Sequence, residues 1–141
     1  MSIRGWNDAW QPVFETLARM KGAWPTRGWS WDPRLLAVTS SFTTEQEPAA
    51  RAAAQLALQN EWTAATIVRA PQQLRDIVER AGGIRQGQLA LSTGPVASLL
   101  VYGLWWPWGD GETVSLRVGL ADVDANREPF IRFRDVYGVT F

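Results

Sequence analysis

Two carboxylates that flank indoles are the side chains of this chain best suited by type to break a bond: Asp32 follows Trp31, and Glu61 precedes Trp62. An acid against an aromatic wall keeps its proton to higher pH, and a second carboxylate across a cleft can act as base or nucleophile, as in a small glycoside hydrolase. Nothing in the sequence brings Asp32 and Glu61 together. With 14 acidic residues and 9 tryptophans, such neighbours also arise by chance.

Other chemistries are excluded by composition. The chain has neither His nor Cys, so it cannot build a Ser-His-Asp triad, a Cys-His pair, a His general base or a usual zinc site. Asp122, Asp124 and Asn126 match the opening D-x-D-x-N of a calcium loop. However, Arg127 stands where that loop needs Gly, and Phe133 where it needs a bidentate Glu. A hairpin turn solvated by acids is the better account. Gly82-Gly83 and Ser92-Thr93-Gly94-Pro95 match no phosphate loop. No metal or cofactor is expected, and the chain reads more as a binder than an enzyme.

Residues suited to recognition are more numerous. Trp24, Trp29 and Trp31 lie in a Pro- and Gly-containing stretch, and Trp105, Trp106 and Trp108 precede Asp110. Indoles can stack on a ligand or plug a loop into the core. Adjacent strand residues point to opposite faces, so one of Trp105 and Trp106 serves the core and Trp106 is the candidate for the surface, with Trp108 in the turn the most exposed. Arg117, Arg132 and Arg134 would form a basic sheet face if their strands come into register, suited to a carboxylate, a phosphate or an acidic partner. The plainer account is a solvated face whose charge Asp135 and Glu112 balance in part.

These residues need elements to hold them. A chain of 141 residues, 46% hydrophobic, can bury one core, and a single α+β domain over 1–141 is expected. Apolar Trp10, Val13, Phe14 and Leu17 mark a helix over 7–21 with Asn7 or Asp8 as N-cap, and 23–33 reads as a loop. Leu35 to Phe42 reads as a strand. Thr44 and Glu47 suggest a capping box opening an alanine-rich helix to about Asn60. Thr63 to Val68 is β-branched and favours strand over continued helix. Pro71 to Ala81, with Leu74, Ile77 and Val78 on one face, is a helix stopped by Gly82-Gly83, and Gln88 to Ser92 returns to strand. This alternation favours parallel pairing with right-handed crossovers. Ala97 to Trp106, Thr113 to Ala121 and Phe130 to Val136 then read as an antiparallel meander. The expected architecture is a mixed sheet with a C-terminal three-stranded antiparallel part and about three helices mainly on one face.

The charge balance sets the partners. Fourteen basic residues match 14 acidic ones, so no global field draws nucleic acid or an anionic membrane. All the basic residues but Lys21 are Arg, which codon usage explains as well as anion recognition does. The longest apolar run, Val96 to Trp108, is interrupted and too short to span a bilayer, and the N-terminus lacks a secretory pattern. The absence of Cys suits a reducing compartment, so a cytoplasmic protein is the default expectation. The leading functional expectation is non-catalytic recognition of a protein partner or small ligand, as an immunity or adaptor protein would do. The hydrolase, and an exposed aromatic face serving as a homo-oligomer interface, are the alternatives.

Overall fold

The computed structural model describes residues 3–97, 99–121 and 128–138, with side chains from residue 9 onward. It shows an α+β architecture. The elements are α1 (Ile3–Ala23), β1 (Ser30–Asp32), β2 (Ala37–Thr43), α2 (Glu47–Gln55), β3 (Asn60–Trp62), α3 (Gln72–Arg80), β4 (Leu89–Ser92), β5 (Leu100–Pro107), β6 (Thr113–Ala121) and α4 (Glu128–Tyr137). Among the described residues the strands form one sheet in the order β1-β2-β6-β5-β4-β3. Every neighbouring pair is antiparallel, and β4-β5-β6 is a C-terminal three-stranded meander.

Two differences from the sequence expectation stand out. The β-α-β-α-β alternation does not produce parallel pairs, because the chain leaving β2 crosses to the far edge of the sheet and β2 pairs with the much later β6, from Ala37↔Gly119 to Thr43↔Thr113. Alternation records that helices separate the strands, but not which strands become neighbours. The segment Phe130 to Val136 is α4, not a third meander strand. Strand alternation would bury residues 130, 132, 134 and 136, whereas Phe130, Phe133 and Tyr137 are the buried ones, a spacing of three and four that only a helix satisfies. Pro129 sits in its first turn, where no N–H is missed, and Glu128 there favours the positive end of the helix dipole.

Core formation follows the apolar periods. Residues Trp10, Val13, Phe14, Leu17 and Met20 put one buried stripe of α1 on the sheet's first face, beside Ala50, Ala53 and Ala54 of α2 and Phe130 and Phe133 of α4. Val114, Leu116, Val118 and Leu120 meet them from β6, as their alternation predicts. Each such side chain contributes about 1.5–3 kcal/mol when fully buried. The second face is covered by α3 alone, through Leu74, Ile77 and Val78 against Leu100, Tyr102 and Leu104. β5 is therefore apolar on both sides.

Smaller boundary shifts have local causes. α1 begins at Ile3, ahead of Asn7 and Asp8, and runs through Gly22. The capping pair is Thr43 and Gln46, one residue earlier than expected, with the Thr43 N–H donating to Gln46 Oε1 at 3.0 Å. α2 stops at Gln55, not Asn60. The stretch Thr63 to Val68 is no strand: residues 63–66 form a turn, in which the Thr63 N–H donates to Thr66 Oγ1 at 2.8 Å, and Ile67–Arg69 is a single 3-10 turn. Threonine hydroxyls compete with the ladder for backbone partners, which offsets their β propensity here.

Candidate functional site

The second sheet face is covered on one side and open on the other. α3 seals β4 and the early part of β5, while β1, β2 and the start of β6 carry small polar side chains facing outward. Register fixes the rows. Trp106, Ser115 and Ser41 align across β5, β6 and β2; the next row holds Leu104, Arg117, Thr39 and Ser30; the third holds Tyr102, Gly119, Ala37 and Asp32. Successive same-face rows lie about 7 Å apart and neighbouring strands about 4.8 Å apart. The result is a hydroxyl-bearing field.

Tyr102 forms its boundary. Its ring lies across Gly119, where a Cβ would fall 2.5 Å from the phenol oxygen, and its hydroxyl donates to the Leu35 carbonyl at 3.1 Å. Burial pushes the Tyr102 hydroxyl pKa far above its ordinary value, and the nearby Asp32 adds to the shift while Arg80 and Arg117 oppose it. The phenol is thus a neutral wall, and no proton leaves it near neutrality.

Trp108 stands on the field itself. It is 52% exposed, and its indole N–H donates to Ser115 Oγ at 2.6 Å, which is in turn 2.9 Å from Ser41 Oγ. An exposed indole is thereby fixed in one orientation. Trp106 lies half-buried on the same face, and its neighbour Trp105, 2% exposed, belongs to the core on the other. Asp110 shapes the turn from β5 into β6: Oδ1 accepts the N–H groups of Glu112 and Thr113, each at 2.9 Å, and Oδ2 accepts the Thr113 hydroxyl at 2.8 Å. The Glu112 N–H, then the Thr113 hydroxyl and N–H, hold its carboxyl below the usual carboxylate range.

Among the described residues, the ion pair on this field is internal to it. Arg117 Nε donates to Asp32 Oδ2 at 2.9 Å, and the Arg34 N–H donates to Asp32 Oδ1 at 3.0 Å. Burial alone would raise the Asp32 pKa. The Arg117 hydrogen bond, the Arg34 N–H and the positive charges of both residues outweigh it and leave the pKa lowered. Asp32 is consequently ionised and paired, the opposite of a poised acid.

Several anticipated groupings do not form. Asp32 and Glu61 occupy opposite edges and opposite faces of the sheet, five strand spacings apart, far beyond the roughly 5–10 Å that a glycosidase pair needs. Glu61 instead accepts from Arg51 Nε at 2.9 Å and pairs with the same guanidinium a second time. Nor do Arg117, Arg132 and Arg134 assemble into a basic patch. Arg132 and Arg134 lie on α4, whose buried side chains join the first-face core; Arg132 Nη2 donates to Gln11 Oε1 at 2.7 Å, and its guanidinium lies 4.7 Å from the Phe14 ring centre. Asp122, Asp124 and Asn126, the calcium-loop residues, fall outside the described residues.

The Trp24, Trp29 and Trp31 stretch is chiefly a plug. Trp24 is 6% exposed, belongs to the first-face core, and its N–H donates to the buried Ser40 hydroxyl at 2.9 Å. Trp29 lies between Trp24, tilted at 5.0 Å, and Tyr137, edge-on at 4.9 Å, and Trp31 meets Phe130 edge-on at 5.6 Å. Such contacts tie the loop to α4 and add about 0.5–1.5 kcal/mol per pair beyond area burial. What sequence reasoning missed was the hydroxyl row of Thr39, Ser41 and Thr43, whose period of two was visible.

A cleft of about 600 Å3 lies on the first face, with Glu47, Arg51, Gln86 and Trp105 among its lining. Its guanidinium is already held by Glu61 and sits 5.6 Å from the Trp105 ring centre. Among the described residues no group of three or more acidic side chains gathers to hold a metal, and no helix is long and apolar enough to cross a membrane. The chain matches no family model, and comparison with curated proteins and with solved structures finds no match. The fold defines it as an α+β protein built on an antiparallel sheet; its function rests on its own geometry.

Proposed function

We propose that this protein is a non-catalytic recognition domain that binds its partner or ligand through the open half of the second sheet face. The observation that carries the reading is Trp108, a large indole left 52% exposed while its N–H is anchored on Ser115. Leaving that apolar area in water is unfavourable, and fixing its orientation in advance lowers the ordering cost of binding. Trp106 and Arg117 support it from neighbouring rows. The carboxylates near the field favour binding over catalysis, since Asp32 and Asp110 are both committed to internal hydrogen bonds.

A thermal-shift screen of soluble ligands tests this reading when each stabilising compound is repeated on Trp108→Ala and on Ser41→Glu. A ligand of the open face raises the melting temperature of the parent chain and loses that effect in both variants. Stabilisation that survives both substitutions and is abolished by Ala65→Arg would move the site to the first-face cleft, which Ala65 lines.

A further inference from the structure

Building on that reading of the open face, we infer that its ligand is a neutral carbohydrate chain that stacks on Trp108 and is hydrogen-bonded by the hydroxyls of Ser30 on β1 and Thr39 on β2. The ion pair inside the rows carries no net charge, because the Arg117 guanidinium is neutralised by Asp32.

The surface chemistry also differs from that of a protein interface. The core of a protein interface is apolar, with several large side chains packed together. Here the outward residues of β2 are Thr39, Ser41 and Thr43, opposed by Arg117, Ser115 and Thr113 of β6. A hydroxyl both donates and accepts, matching the mixed donor and acceptor character of sugar hydroxyls. Thr39 and Ser30 have no hydrogen-bond partner for their hydroxyls among the described residues, so both remain available.

The indole supplies the complementary half. A pyranose ring has an apolar face of slightly positive C–H groups, and the π-face of Trp carries negative charge density, so the two stack. Because the Trp108 N–H is spent on Ser115, the indole can offer its ring and not its donor. With Trp106 half-buried one row from Arg117 on the same face, the field carries aromatic area at one end and hydroxyls over the rest, spanning about three strand spacings, or about 14 Å. A short oligosaccharide lying across the strands meets both.

Titration of the full, isotopically labelled chain with cellohexaose, chitohexaose, mannohexaose and xylohexaose, followed by NMR, tests the inference, with a heparin hexasaccharide and a set of random-sequence peptides as comparators. At least one neutral series is expected to shift the indole N–H signals of Trp108 and Trp106 and the amides of Thr39, Ser41 and Ser115. Trp108→Ala should weaken that binding about tenfold or more, and Trp108→Phe, which keeps a stacking ring and controls for folding, should lose less. If no neutral glycan shifts these signals while a peptide or the heparin fragment does, the carbohydrate inference is overturned and the recognition face stands. If no probe shifts them, or binding is indifferent to Trp108→Ala, both are overturned.

Discussion

Gly119 illustrates how one residue positions the open face. A Cβ there would meet the Tyr102 hydroxyl, Cζ and Cε1 at 2.5, 2.7 and 2.8 Å, so the absence of a side chain on β6 lets the phenol lie across the sheet and reach Leu35. Gly119→Ala is expected to destabilise the fold by about 1–3 kcal/mol in denaturant unfolding, because the displaced ring is enclosed. In a Tyr102→Leu background the same substitution should cost distinctly less, and equal costs in the two backgrounds would show that the ring is not what excludes the side chain. At this scale the sequence was a partial guide. Trp106 and Arg117 were visible as surface candidates from strand alternation and Trp108 from its place in a turn, whereas the partner of Arg117 was not, since Asp32 lies 85 positions away in sequence.

Among the elements, α4 is where period decides structure. The stretch from Phe130 to Val136 contains enough β-branched and aromatic character to read as a strand, and in that reading Ile131 and Phe133 would face the same way. In the helix they diverge: Phe133 is 0% exposed and Ile131 40%. Phe133→Ala should therefore cost about 3–5 kcal/mol and Ile131→Ala less than about 1 kcal/mol, compared by urea unfolding. Similar costs at the two positions would argue for the strand. Tertiary contact overrode local preference here, as Phe130 closes on Trp31 and Tyr137 on Trp29, so the helix and the aromatic loop stabilise one another. α1 and α3 were legible in advance because their apolar stripes are regular, as in α3, where Leu74, Ile77 and Val78 are all buried, whereas α2 was read from its capping pattern and alanine content.

For the whole molecule, the two tyrosines report on the cores of both sheet faces. Tyr102 belongs to the second-face core and Tyr137 to the first, and burial raises the pKa of each phenol far above its ordinary value. The unfolded chain would release both protons near pH 10, while the native state keeps them, so stability is expected to decline as pH rises above about 10. Phenolate absorbance should appear together with the loss of far-ultraviolet circular dichroism. Phenolate that develops near pH 10 with the dichroism intact would mean that the rings are accessible in the native state.

The division between sequence and structure follows from the range of the forces involved. Composition alone removed His- and Cys-based chemistry, and local periodicity located α1, α3, β2, β5 and β6, because apolar stripes and alternation act over a few residues. Strand order, the antiparallel pairing of β2 with β6, the burial of Trp24 and the separation of Asp32 from Glu61 depend on contacts between distant segments. A single sequence does not encode those contacts in any local pattern. They emerge only when the whole core closes, and that closure covers the second face with α3 on one side and leaves Trp108 and its hydroxyl field open on the other.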